Sequence, residues 1–168
     1  MAKILMVVAN NGFRDEEALD PKKILEEAGH EVVISALSSG KAEGVEGAVL
    51  DVQVVVDDIN VDDYDAVAFI GGADMVSKVN NPSHTGLAKK FFEAGKLTTA
   101  ICVAPAILAN AGIIEGKNVT SWAGVEDDLK DAGGNFIGGP VVRDELLITA
   151  TGPSAAAEFG ETILKALA

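Results

Sequence analysis

The sequence predicts an α/β protein: a central, mostly parallel sheet with helices packed on both faces. Three observations predict it. A continuous apolar run, Lys3 to Ala9, is followed by a helical pattern and then by a second apolar run, His30 to Ala36. That is a βαβ start, which implies parallel strands. A third run, Asp65 to Ile70, ends in Gly71-Gly72. A fourth, Leu97 to Ile101, turns at Cys102 into an Ala-rich helix over Pro105 to Asn110. Runs that are apolar throughout, rather than alternating, belong to strands covered on both sides.

The first helix is expected over Glu16 to Gly29. Ala18, Leu19, Ile24, Leu25 and Ala28 supply its apolar face, and Gly29 stops it. Asn10 to Asp15 reads as a polar, Gly-containing loop. Gly44 to Asp58 places Val45, Val49, Val52, Val54 and Val56 among Gly and Asp residues with partial alternation, the pattern of a β-hairpin or an edge extension. The acidic connector Asp57, Asp58, Asp62, Asp63 and Asp65 reads as a solvated loop rather than a cation site. Further helices are expected over Pro82 to Gly95, Gly124 to Ala132 and Ala155 to Leu167. Short strands are expected over Asn118 to Trp122, Asn135 to Val142 and Glu145 to Ala150, the last two around a turn at Arg143-Asp144.

A chain of 168 residues with 48% hydrophobic content has the size and composition of one domain spanning residues 1–168. The net charge of −13 argues against nucleic acid and anionic membranes as partners. No run reaches the length of a membrane-spanning helix, and no signal-peptide cleavage site follows the first strand. One cysteine permits no internal disulfide, which points to a reducing, cytoplasmic setting.

That cysteine occupies the turn between a buried strand and a helix. Such a turn lifts a side chain onto the carboxyl edge of the sheet and surrounds it with backbone N–H groups, the logic of a nucleophile elbow. A helix N-terminus lowers the pKa of a thiol, so Cys102 is expected to titrate below the usual value of about 8.5. The competing reading is an ordinary core cysteine. Three strand ends converge here. The first brings the acids Asp15, Glu16 and Glu17, any of which suits general acid/base work or plain helix N-terminal charge pairing. The second brings Gly71-Gly72. The N–H groups of Gly72 and Val103 suit an oxyanion hole. Of the two histidines, His30 is expected to be structural and His84 solvated.

Several segments together resemble the ThiJ/PfpI superfamily, which includes the Parkinsonism-associated protein and the intracellular protease-like proteins. They are ILMVVANNGFRDEEALDP, EEAGHEVVIS, the strand ending in Gly71-Gly72, TTAICVAPAILANAG, KNVTSWAG with DDLKDAG, and ITATGPSAAAEFGETILKAL. The resemblance implies a flavodoxin-like sandwich, a homodimer or larger assembly, and no metal or organic cofactor. It singles out Glu17, four residues before Pro21, as the glutamate that touches the Cys102 nucleophile. Glu17 is therefore expected to face inward while Asp15 and Glu16 face solvent. The resemblance also assigns Gly72 and Val103 to the oxyanion hole and Gly71, Ala104 and Trp122 to the pocket.

Departures from the family pattern narrow the function. The protease-like branch has histidine after the cysteine, and this chain has Val103. Its acidic residue after the double glycine is matched here by Ser77 or Lys78, with Asp74 displaced. Ala104 stands where the elbow usually has glycine, and Trp122 where a histidine is common. The resemblance therefore implies a cysteine-dependent enzyme acting on reactive carbonyls or glycated adducts, of the glyoxalase or deglycase kind. The alternatives are an intracellular cysteine peptidase or amidase, and a non-enzymatic oxidative-stress sensor or chaperone.

Overall fold

The computed structural model describes all residues, Met1–Ala168. Its frame is laid down by β1 (Lys3–Val7), β2 (Asn11–Phe13), α1 (Asp15–Glu27) and β3 (Glu31–Ala36). A hairpin of β4 (Gly40–Gly44) and β5 (Val49–Val52) follows, then β6 (Val54–Val55) and two short 3-10 turns through the acidic connector. The chain continues through β7 (Ala66–Phe69), α2 (Pro82–Glu93), β8 (Leu97–Ile101) and α3 (Pro105–Asn110). It closes with β9 (Asn118–Val119), α4 (Glu126–Asp131), β10 (Asn135–Phe136), β11 (Val141–Asp144), β12 (Leu147–Ala150) and α5 (Ala156–Leu167).

Seven strands form the main sheet in the order β11-β12-β8-β7-β1-β3-β6. Every neighbouring pair is parallel except β11 with β12. Alternate residues of β1 go to opposite faces. Leu5 and Val7 join Leu87 and Phe91 of α2, Ile107 of α3 and Leu129 of α4. Ile4 and Met6 join Ala18 and Leu25 of α1 and Phe159 and Ile163 of α5. This is the flavodoxin-like α/β sandwich, and burial on both faces is why these strands carry no polar alternation.

Four local features differ from the sequence reading. Asn11–Phe13 is a strand, not a loop, because it pairs with β4 to form a separate three-stranded sheet with β5. The hairpin begins at Gly40 rather than Gly44, so the turn falls between Gly44 and Val49. Asn135 to Val142 is two strands, split by Gly138 and Gly139, both at positive φ. The turn before β12 lies at Glu145-Leu146, where Glu145 takes φ 53°.

Helices α1 and α5 touch through a glycine. A Cβ on Gly160 would lie 2.8 Å from Pro21 Cα, so a larger residue there would force the two helices apart. Pro21 lies inside α1 and has no N–H to give the carbonyl of Glu17, one turn earlier.

Candidate active site

Cys102 follows β8 and precedes α3, and it stands at φ 66°, a left-handed conformation uncommon outside glycine. Two hydrogen bonds hold it there. Its N–H donates to Ala150 O at 2.9 Å, continuing the β8–β12 pairing, and its carbonyl accepts the Trp122 N–H at 2.8 Å. The elbow thus stores backbone strain at the one cysteine of the chain.

Glu17 is fully buried in the first turn of α1. Its Oε1 accepts the Gly71 N–H at 3.0 Å, and its Oε2 is buried without a conventional hydrogen-bond partner. Gly71 sits in the gap between acid and thiol. A Cβ there would come within 2.6 Å of Glu17 Oε1 and 2.7 Å of Cys102 Cβ, so no other residue fits.

Burial pushes the Glu17 carboxyl up to about 7, against the pull of its hydrogen bonds. Burial, and then the neighbouring Glu17 charge, push the Cys102 thiol up to about 12. The thiol is thus less acidic than a free cysteine, not more acidic as its place at a helix start predicts. The Val103 N–H and the Arg14 charge favour the thiolate but are outweighed, and α3 is only six residues long.

Gly71 N–H is committed to Glu17, and Ala104 N–H donates to Ile101 O at 3.1 Å. The N–H groups of Gly72 and Val103, in contrast, donate to no protein carbonyl or carboxylate. Gly72, at φ 128°, is another forced glycine: a Cβ would meet the backbone of Gly12 and Arg14 at 2.5 Å.

A pocket of about 430 Å³ opens onto Cys102, Glu17 and Val103. Its walls are apolar: Val45 from the turn of the hairpin, Ala73 and Val76 from the 3-10 segment after Gly72, Trp122 and Pro153. Arg14 is its only cation. Trp122 lines this pocket and remains half-exposed, with its ring lying over Gly124. Gly71 and Ala104 lie behind the wall rather than on it.

The other candidate residues fall elsewhere. Asp15 is buried, not solvent-facing: it accepts the N–H groups of Glu46 at 2.9 Å and Ala48 at 2.8 Å, closing the hairpin turn. Glu16 is half-buried and pairs with Arg14 Nε at 2.8 Å. His84 is fully buried, not solvated, because α2 packs it edge-on against Phe69. Its Nδ1 meets the Lys78 carbonyl at 3.0 Å, so Nδ1 carries the proton and the buried Nε2 has no partner. His30 accepts the Ala2 N–H at 2.9 Å and lines a separate cleft of about 510 Å³ with Met1 and Leu167. Asp74 accepts the Asn11 N–H at 3.0 Å and pairs with Lys78 Nζ at 2.6 Å, a tie between β2 and the 3-10 segment. Ser77 donates only to Asp74 O, at 3.4 Å. No group of three or more His, Cys, Asp or Glu side chains is placed to hold a metal ion, and no helix is long and apolar enough to cross a membrane.

The DJ-1/PfpI family model matches residues 2–166. The chain belongs to the DJ-1/PfpI family. Among relatives of this DJ-1/PfpI chain, the deglycase PfpI of Pyrococcus furiosus is 37% identical over 84% of this chain and 85% of its own length. The deglycase TK1284 of Thermococcus kodakarensis is 34% identical over 83% of this chain and 84% of its own. Among solved structures, a ThiJ/PfpI domain protein from Brachyspira murdochii superposes with a TM-score of 0.96 at 30% identity, covering 98% of this chain and 95% of that one. Within this DJ-1/PfpI frame, two site residues escaped the sequence reading. Arg14 reads locally as a charged loop residue, and its place in the pocket depends on Gly71, whose carbonyl accepts its N–H at 3.0 Å. Val45 reads as hairpin, and only the pairing of β4 with β2 brings it to the pocket.

Proposed function

We propose that this protein is a cysteine-dependent enzyme of the deglycase or glyoxalase type, acting on α-oxoaldehydes or their adducts. The observation that carries the reading is the pairing of Glu17 with Cys102 at the floor of a pocket where the Gly72 and Val103 N–H groups donate to no protein carbonyl or carboxylate. The deglycase names of two relatives support the substrate class.

Chemistry begins with the sulfur attacking the aldehyde carbon. The S–C bond forms, the carbonyl π pair moves to oxygen, and Gly72 and Val103 N–H groups hold that oxyanion. Glu17 takes the thiol proton and returns it to the oxygen, giving a hemithioacetal. A carboxyl titrating near 7 is matched to that exchange at neutral pH. Glu17 then removes the proton from the sulfur-bearing carbon and redelivers it to the adjacent carbon, while the hydroxyl proton passes from the first oxygen to the second, giving a thioester. Water releases the 2-hydroxy acid and regenerates the thiol.

Neither histidine lines the pocket, which weighs against the peptidase alternative. A homodimer fits the half-exposed apolar side chains Val45, Val76 and Trp122 around the mouth, and light scattering reads that directly. Methylglyoxal consumption beside casein cleavage, for wild type and Cys102→Ser, tests the function. Methylglyoxal loss that requires Cys102, without casein cleavage, is the expected result. Casein cleavage, or methylglyoxal loss that survives Cys102→Ser, would overturn it.

A further inference from the structure

We propose that Arg14 is the specificity-determining residue of this pocket: it receives an uncharged substrate oxygen beside the reacting carbon, and the two carboxylates that clamp it reject a charged one. The proposal rests on the function proposed above for its substrates, but not for its decisive measurement.

Arg14 enters the pocket at a fixed point. Its backbone caps α1 and is bound to Gly71, next to the Gly72 oxyanion donor. Its side chain is held from both sides. Glu16 Oε2 takes Nε at 2.8 Å and Glu46 Oε1 lies 3.3 Å from Nη2. Nη1 makes no hydrogen bond or ion pair within the protein. Arg14 is the one cation on the pocket wall, and a guanidinium edge without a partner is a hydrogen-bond donor in search of an oxygen.

The charge of the clamp decides which oxygen. One positive charge faces two carboxylates at its own side, and the Glu17–Cys102 pair adds further negative charge on the pocket floor. Arg14 holds Glu16 below the ordinary carboxylate value, and the neighbouring Glu16 raises Glu46, so Glu16 is the arm of the clamp that is held charged. A substrate carboxylate at Nη1 would be a further anion beside a cation already neutralised. A carbonyl or hydroxyl oxygen takes the same donor without that repulsion. Discrimination of this kind comes from the repelling groups as much as from the attracting one. The pocket is therefore built for a neutral vicinal dicarbonyl and against a 2-oxo acid.

The decisive test needs no turnover. Iodoacetamide and iodoacetate attack the same sulfur and differ in charge alone, so the thiolate fraction cancels in the ratio of their rates. Arg14→Gln should raise the iodoacetamide-to-iodoacetate ratio about fivefold, and Glu46→Gln should lower it about threefold. Both effects should shrink at 1 M salt, where screening reaches down to about 3 Å. A ratio that both variants leave unchanged, or move the other way, overturns the proposal. A second arm uses steady-state kinetics. Arg14→Gln should raise the KM for methylglyoxal about tenfold with a smaller change in kcat, and Glu46→Gln should improve glyoxylate relative to methylglyoxal. Equal methylglyoxal KM values in wild type and Arg14→Gln would overturn the role of Nη1. A wild-type protein that consumes neither carbonyl would overturn the proposed function, and the alkylation ratio would still decide for or against Arg14.

Discussion

Gly71 donates its N–H to Glu17 Oε1 at 3.0 Å, a bond between residues 54 positions apart. It fixes one carboxyl oxygen on backbone and leaves the other buried without a hydrogen-bond partner, in a carboxyl that faces the thiol. The acid cannot turn away from the sulfur without breaking a buried bond. Much of the behaviour expected of this site follows from that constraint.

The first expectation concerns the thiol. Iodoacetamide alkylation of the wild type should still be rising at the free-thiol value of about 8.5, because burial and the Glu17 charge both oppose the thiolate. Glu17→Gln removes the charge and keeps the shape, so its midpoint should fall by about one pH unit or more. Coincident profiles for the two proteins would mean that Glu17 carries no charge against the sulfur.

The same carboxyl should leave a mark on stability. Its value in the fold is about 7, raised from an ordinary 4.5, so the fold favours its neutral form. That favourable contribution is complete below about 4.5 and is lost as pH rises through about 7. The stability of wild type relative to Glu17→Gln should therefore decline between pH 5 and pH 8, on the order of 2 kcal/mol. Thermal melts of both proteins at the two pH values measure it, and a constant difference would count against the raised value.

The strained elbow offers a second stability test. At φ 66° a Cβ is costly, so Cys102→Gly should be more stable than Cys102→Ala by about 1 kcal/mol. Urea unfolding of the two variants makes the comparison without reference to catalysis. An alanine variant that equals or exceeds the glycine one would remove strain from the account.

Asp15 should behave as a structural acid. Burial raises its pKa, but the N–H groups of Glu46 and Ala48 outweigh burial and leave it below the ordinary value. Its contribution is therefore present above the ordinary carboxylate range and lost as pH falls through the lowered value. Asp15→Ala should cost about 1–3 kcal/mol at neutral pH, for two part-buried donors left unpaired. The cost should vanish in acid, and hydrogen exchange should quicken first in β4 and β5.

Trp122 reports on the pocket directly. It lines the same cavity as Cys102 and is the only tryptophan in the chain. Carboxamidomethylation of Cys102 should shift its emission, and the shift should be absent in Cys102→Ser. An unchanged spectrum would place the ring away from the sulfur.

The sandwich is legible in the sequence because β1, β3, β7 and β8 are buried on both faces and so read as largely apolar runs, with Ser35, Thr98 and Thr99 buried among them. The position of Glu17 is legible from its spacing to Pro21 together with the family pattern. What escapes is whatever depends on a distant partner. Asn11–Phe13 becomes a strand only through β4, some thirty positions on. Asp15 is buried by a turn it cannot be seen to face, and His84 by Phe69. The acidity of Cys102 escapes for another reason. Helix-end geometry can be read locally, but burial is a property of the whole fold, and burial wins.

One contact far from the pocket has a consequence for how the site could be lost. Gly160 presses against Pro21, and Pro21 is one helical turn from Glu17 on a turn already missing a rung. The C-terminal helix thus acts as a jig for the acid. Loss-of-function screens should find Gly160 although it touches no pocket atom. A bulky residue there would tilt the first turns of α1 and loosen the hold of Gly71 on the carboxyl. Shaving Ile24, whose methyl would lie 3.2 Å from a Cβ at 160, is where a compensating second change should arise.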